Sequence, residues 1–113
     1  MHELGIVYEI INIVDRFAQE NQLTKVDKIV LEVGQLSQAI PRFLEKCYPA
    51  AVSETAYEDT KLEIIVLPAN AKCKTCNEVY NIIEYRKVCP ECDGDGYELI
   101  SGQEFNIKEV VAY

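Results

Sequence analysis

The chain has 113 residues, of which 49% are hydrophobic and 27% are charged, and its formal net charge is −8 at pH 7. This is the composition of one ordinary globular domain with room for a small metal-bound appendage. A membrane span needs about 18 consecutive apolar residues, and the sequence contains no such run. The composition also argues against a nucleic-acid partner, which requires a surplus of Lys and Arg. The N-terminus lacks the basic and apolar plan of a signal peptide, so we expect a cytoplasmic protein.

The first predicted element is an amphipathic helix from about residue 4 to residue 20. Its apolar side chains recur at helical spacing, and polar residues occupy the other side. The apolar stripe consists of Leu4, Val7, Ile11, Val14 and Ala18, widened by Ile10 and Phe17. Asn21 is a suitable residue to end this helix.

Between residues 25 and 37 the apolar period changes to two, which predicts a β-strand with one covered face. Ile29, Leu31 and Val33 point towards that face. A second helix follows, with Pro41 in its first turn. Because Pro49 lacks a backbone donor, we expect a kink or a break at residues 45–48.

Two further strands are predicted at residues 62–67 and 105–111, and the alternation of the last strand slips near Val110. The fold class is therefore α+β: two helices on a three-stranded sheet, with an inserted zinc-ribbon-like hairpin. We expect two units. Residues 1–68 plus 101–113 form the first, and residues 69–100 form the metal-binding second.

The inserted hairpin carries two Cys-x-x-Cys pairs separated by twelve residues, Cys73 with Cys76 and Cys89 with Cys92. This spacing lets four thiolates surround one ion in a tetrahedron, which predicts a structural zinc site. Residues 78–85 are rich in β-branched and aromatic side chains, which predicts a short strand that runs out and back.

Two other interpretations use the same four cysteines. Disulfides are disfavoured because the cysteine count of five is odd and no secretory leader precedes them. Iron in a rubredoxin-like site has the same ligands, and the spacing leaves it open, although the surroundings are charged and no second redox element occurs. Cys47 stands apart in an apolar helix and is interpreted as a small core residue.

The only histidine is residue 2. Together with the α-amino group and the first backbone amides, its imidazole can supply four nitrogens in a plane, which suits Ni(II) or Cu(II), and Glu3 can add a carboxylate. The residues alone also fit an exposed histidine that binds no metal.

Several stretches resemble one family, the HypA nickel metallochaperones of [NiFe]-hydrogenase maturation, which also serve urease in some bacteria. These stretches are MHELGIVYEI, VGQLSQAIPRFL, LEIIVLPANAKC, CKTC and CPEC. The resemblance implies nickel as a transported cargo at Met1, His2 and Glu3, and structural zinc at Cys73, Cys76, Cys89 and Cys92. It also implies a HypB-type GTPase and the hydrogenase large subunit as partners, with a homodimer as a further assembly.

The resemblance implies a carrier and not an enzyme. A single histidine, no Ser/His/Asp constellation and a zinc shell already filled leave no open coordination position. The alternative is a zinc-ribbon interaction module that binds a protein partner and no second metal. Some relatives have a histidine beside the zinc cysteines, proposed to tune the site with pH; this chain has none, so we expect no such switch.

Overall fold

The computed structural model describes residues 2–113, and only the backbone is described at His2. Its elements are α1 (His2–Glu20), β1 (Val26–Gly34), α2 (Pro41–Val52), β2 (Lys61–Leu67), β3 (Asn70–Cys73), β4 (Val79–Asn81), β5 (Tyr97–Leu99) and β6 (Phe105–Ala112). The α+β class is confirmed. Neither helix is long and apolar enough to cross a membrane.

The first sheet has the strand order β2-β1-β6. Strands β1 and β2 are parallel and are connected through α2, whereas β6 is antiparallel to β1. The predicted face of β1 is confirmed, because Ile29, Leu31 and Val33 are fully buried against the helices. Burying each such side chain contributes roughly 1.5–3 kcal/mol, so this face anchors the larger core. Phe17 departs from the predicted stripe, since it is 46% exposed.

The second sheet has the order β4-β3-β5, with both outer strands antiparallel to β3. Its core is small and includes two of the cysteines. The buried members are Ala69, Ala71, Cys73, Tyr80, Ile82 and Cys89. Such a core supplies little hydrophobic free energy, so the segment needs another source of stability.

The break predicted at residues 45–48 is absent, because α2 runs without interruption from Pro41 to Val52. Pro49 stands in the last turn, where it removes a single hydrogen bond, the one to the carbonyl of Glu45. Both residues are exposed, so water can reach the freed carbonyl. The N–H of Ser53 donates to the carbonyl of Pro49 at 3.1 Å and closes the helix end.

The strand predicted at residues 78–85 is confirmed only at Val79–Asn81. The strand ends at Asn81, whose side-chain oxygen accepts hydrogen bonds from the N–H groups of Ile83 and Glu84, both at 3.0 Å. Asparagine competes with a sheet in this way by bonding to its own backbone two residues on. The sheet is completed instead by β5, which pairs with β3.

The slip predicted in the last strand lies at Lys108, two residues before the predicted position. Leu31 pairs with Ile107 while Val30 pairs with Glu109, so Lys108 has no partner in β1. This β-bulge keeps the apolar side chains on both sides of it facing the helices.

Three chain segments cross at the junction of the two sheets. A Cβ atom on Gly34 would overlap the carbonyl of Gly102, and one on Gly102 would lie 2.7 Å from the Cα of Ala69. Gly102 has φ +119°, which other residues rarely adopt. The side-chain oxygen of Gln35 accepts bonds from the N–H of Ala69 at 2.8 Å and the amide of Asn81 at 3.0 Å.

We predict that Gly34→Ala lowers the free energy of unfolding by about 2–3 kcal/mol, because the new methyl group meets rigid backbone. Gly5→Ala is the matched control: it stands in α1 with nothing within 4 Å and should stabilise the protein by up to about 1 kcal/mol. Denaturant unfolding of the metal-loaded protein measures both. Equal stabilities for the two variants would contradict the close packing at the junction.

Candidate metal centre

The first Cys-x-x-Cys pair lies in the turn that joins β3 to β4. The N–H of Cys73 donates to the carbonyl of Glu78 at 2.8 Å, and the N–H of Asn77 donates to the carbonyl of Cys73 at 3.0 Å. Asn77 has φ 65°, the left-handed conformation that asparagine tolerates. The turn also aims the N–H of Thr75 at the sulfur of Cys73, at 3.4 Å.

The second pair repeats this arrangement. The N–H of Cys89 donates to the carbonyl of Gly94 at 2.8 Å, and the N–H of Asp93 donates to the carbonyl of Cys89 at 2.9 Å. Asp93 has φ 60° and occupies the place that Asn77 holds in the first turn. Each pair therefore presents its sulfurs from a rigid turn with its backbone groups already bonded.

The structure brings all four predicted cysteine ligands together, with their sulfur atoms within 4.8 Å of one another. The sulfurs of Cys73 and Cys92 are 3.5 Å apart, and those of Cys76 and Cys89 are 3.6 Å apart. All five cysteines are free thiols, and Cys47 is buried in the larger core as expected.

One thiol of each pair is inside and one is outside. Cys73 and Cys89 are buried, whereas Cys76 and Cys92 are exposed. The buried pair belongs to the core of the second sheet, so an ion held by all four sulfurs would join that core to the outer turns. Four thiolates that fill a tetrahedron suit a structural zinc ion and leave it no open position.

The environment separates the acidities of the thiols. The N–H groups of Cys76 and Thr75 aimed at the sulfur of Cys73 lower its pKa to about 6. The N–H of Glu78 favours the Cys76 thiolate, but desolvation and the other three sulfurs outweigh it and raise the pKa of Cys76 to about 12. The N–H of Gly94 acts likewise on Cys92, whose pKa is nevertheless raised, chiefly by the sulfur of Cys73 and by desolvation.

Tyr80 packs in the same buried core as two of the four cysteines and was not singled out from the sequence. Its ring is 4% exposed and meets the ring of Tyr85 edge to face, with centroids 6.4 Å apart. Burial and the charges of nearby sulfurs raise the pKa of Tyr80, so its phenol stays neutral. The alternation of residues 79–82, with Tyr80 and Ile82 buried, was the available signal.

Of the residues predicted to bind nickel, His2 and Glu3 lie in the first turn of α1. Met1 and the side chain of His2 lie outside the described part of the structure, so their roles stay predictions. Glu3 is half-buried in the first turn of the helix. A carboxylate in this position also stabilises the helix through the macrodipole.

The fold and the centre define a small α+β protein built around four converging thiols. Residues 1–112 match the family model described as hydrogenase/urease nickel incorporation, metallochaperone, hypA. The chain is 33% identical over 110 residues to hydrogenase maturation factor HypA 2 of Bradyrhizobium diazoefficiens, with 97% of both chains covered. It is 34% identical over 110 residues to HypA of Actinobacillus succinogenes, with the same coverage. The chain belongs to the HypA family.

Solved structures agree on the fold. The solution structure of the Ni metallochaperone HypA from Helicobacter pylori matches with a TM-score of 0.65 at 21% identity, covering 97% of this chain and 96% of that one. A second solution structure of a HypA protein matches with a TM-score of 0.68 at 23% identity, covering 100% of this chain and 97% of that one. The resemblance stated from the sequence motifs is thus confirmed.

We predict that Cys89→Ser abolishes tight zinc binding and unfolds residues 69–100 while the larger core stays folded. Zinc binding and folding are coupled where the core is this small. Backbone amide spectra before and after the substitution provide the measurement. Cys47→Ala, which removes the fifth thiol, should leave zinc content and the spectrum of residues 69–100 unchanged; a native spectrum for the Cys89 variant would contradict the prediction.

We predict that zinc affinity falls as the pH falls. Cys76 and Cys92, whose pKa values are raised, hold protons at pH 7 that the ion must displace, so binding releases at least two protons. Calorimetry in buffers of different ionisation enthalpy counts the protons, and release of fewer than two would contradict the raised pKa values of Cys76 and Cys92.

Proposed function

We propose that the protein is a nickel carrier that binds Ni(II) at its N-terminus and delivers it during [NiFe]-hydrogenase maturation. Membership of the nickel-incorporation family over residues 1–112 carries this proposal. The relatives are named hydrogenase maturation factors, and the solved structure from Helicobacter pylori is titled a Ni metallochaperone. The position of the only histidine at residue 2 supports it.

Nickel is held by Met1, His2 and Glu3 in this proposal. The α-amine, the imidazole and the intervening amide nitrogen form fused chelate rings around an ion that favours square-planar nitrogen ligands. Each ligand can lose the ion to a proton or to a competing donor, so the site binds tightly enough to carry nickel and weakly enough to release it.

Zinc is structural in this proposal and is held by Cys73, Cys76, Cys89 and Cys92. The convergence of their sulfur atoms supports that assignment. We also propose the division of labour that goes with it. Residues 1–68 plus 101–113 form the nickel-binding unit, and residues 69–100 form the zinc-binding unit.

The protein acts as a carrier without catalysis of its own. Its sulfur shell is closed, and the one imidazole of the chain is assigned to the cargo. The partners we propose are a HypB-type GTPase and the hydrogenase large subunit, in a cytoplasmic setting without nucleic acid or membrane. The low sequence pI of about 4.6 supports protein partners over polyanions.

We predict that His2→Ala abolishes nickel binding and leaves zinc content and the fold intact, because the chain has no other imidazole. Calorimetric titration of zinc-loaded, tag-free protein with Ni(II) provides the measurement, and the wild type should bind about one ion with micromolar affinity. An N-terminal extension should have the same effect, since it converts the amine to an amide.

As a control, absorption spectra distinguish nickel bound at the N-terminus from nickel bound at the cysteines. Nickel that replaces zinc would give intense thiolate-to-metal charge-transfer absorption, whereas nitrogen ligands in a plane give only weak bands. Unchanged affinity in the histidine variant would contradict the assignment. If the zinc-loaded wild type takes up no nickel, the chain is instead a zinc-ribbon interaction module.

A further inference from the structure

An apolar groove runs between α1 and β6 on the helix-covered side of the first sheet. Two adjoining cavities of about 270 and 510 Å³ form it, and both are lined by Ile13 and Ile107. Ile13 is 42% exposed and Phe17, in the first cavity, is 46% exposed. The strand beside the groove, β6, is an edge strand.

The hydrogen bonds of β6 show which of its residues face away from β1. The carbonyl of Glu104 accepts from the N–H of Gly34, and residues alternate from there, so Phe105 and Ile107 turn their backbone groups to the free edge. At the other end Tyr113 exchanges hydrogen bonds with Lys25 in both directions. The same alternation then turns Ala112 and Val110 outward.

The bulge at Lys108 gives the outward-facing residues of this edge a spacing that is symmetric about its centre. Without the extra residue Lys108, Ile107 and Val110 could not both face outward. All four outward residues also carry side chains that pack on the helix side: Phe105, Ile107, Val110 and Ala112. An antiparallel copy of β6 with its two-fold axis between Lys108 and Glu109 would pair Ile107 with Val110 and Phe105 with Ala112, each in hydrogen-bonding position and on the same face.

We propose that β6 pairs with β6 of a second copy of this chain, which joins the two first sheets into one sheet of six strands. Charge complementarity selects this occupant. In the symmetric register Lys108 stands opposite Glu109 of the second copy, and the axis creates this pair twice. Among the described residues the one ion pair joins Lys28 to Glu63, so Lys108 and Glu109 have no ionic partner in that part of the chain.

The same features disfavour pairing with an unrelated strand. A bulge and charged side chains protect an edge strand against unspecific pairing, because a foreign strand meets an interrupted ladder and unpaired charges. A second copy brings both the matching interruption and the opposite charges. Pairing would also place the two α1 helices over the new strand pair and cover Ile13 and Phe17.

The test is a charge exchange on zinc-loaded, tag-free protein without nickel, with the monomer–dimer equilibrium measured by sedimentation velocity over a wide concentration range. Lys108→Glu and Glu109→Lys should each raise the dimer dissociation constant at least about tenfold, because two attractive cross-strand pairs become repulsive. The double variant K108E/E109K restores both pairs and should return to within about threefold of the wild type.

Lys61→Glu is the matched control, since it makes the same charge change on the opposite edge strand, β2, and should leave the equilibrium unchanged. A wild-type protein that stays monomeric at high concentration overturns the proposal. A dimer that neither single reversal weakens also overturns it, and would indicate another interface or exchange of segments between copies. The readout requires no nickel, so its outcome is independent of the proposed function.

Discussion

The convergence of four sulfur atoms is the interaction on which the second half of the molecule depends. The core of the second sheet contains only six buried side chains, and two of them are cysteines. Burial on this scale cannot offset the entropy of ordering some thirty residues. Two turns of the same design, each closed by a residue in the left-handed conformation, therefore place the thiols so that a metal ion can supply the missing free energy.

The larger core is of the opposite kind, because apolar burial alone accounts for it. The helix-facing side chains of β1 are fully buried, and both helices cover the same side of the sheet. The two cores have no residue in common, yet the chain passes between them twice. At that crossing the packing is so close that Gly34 and Gly102 admit no side chain.

The elements that depend on hydrophobic period were predictable from the sequence, and those that depend on local polar contacts were not. The two helices, the three strands of the first sheet and the convergence of four cysteines followed from periodicity and spacing. The strand at residues 78–85 was predicted too long, because a pattern of β-branched residues does not show that the Asn81 side chain bonds to the backbone beyond it. The effect of Pro49 was overestimated as well, because the cost of a proline depends on its exposure and on its place in the last turn of the helix. The pairing of β3 with β5 spans more than twenty residues and could not be read locally.

Gln35 gives the junction a property that neither core provides. One carbonyl oxygen serves two donors, the backbone of Ala69 before β3 and the side chain of Asn81 at the end of β4. Gln35 directly follows β1, so the two bonds tie the first sheet to the second at two points. Rotation of one sheet relative to the other is therefore resisted by these two directional bonds in addition to the close packing of Gly34 and Gly102.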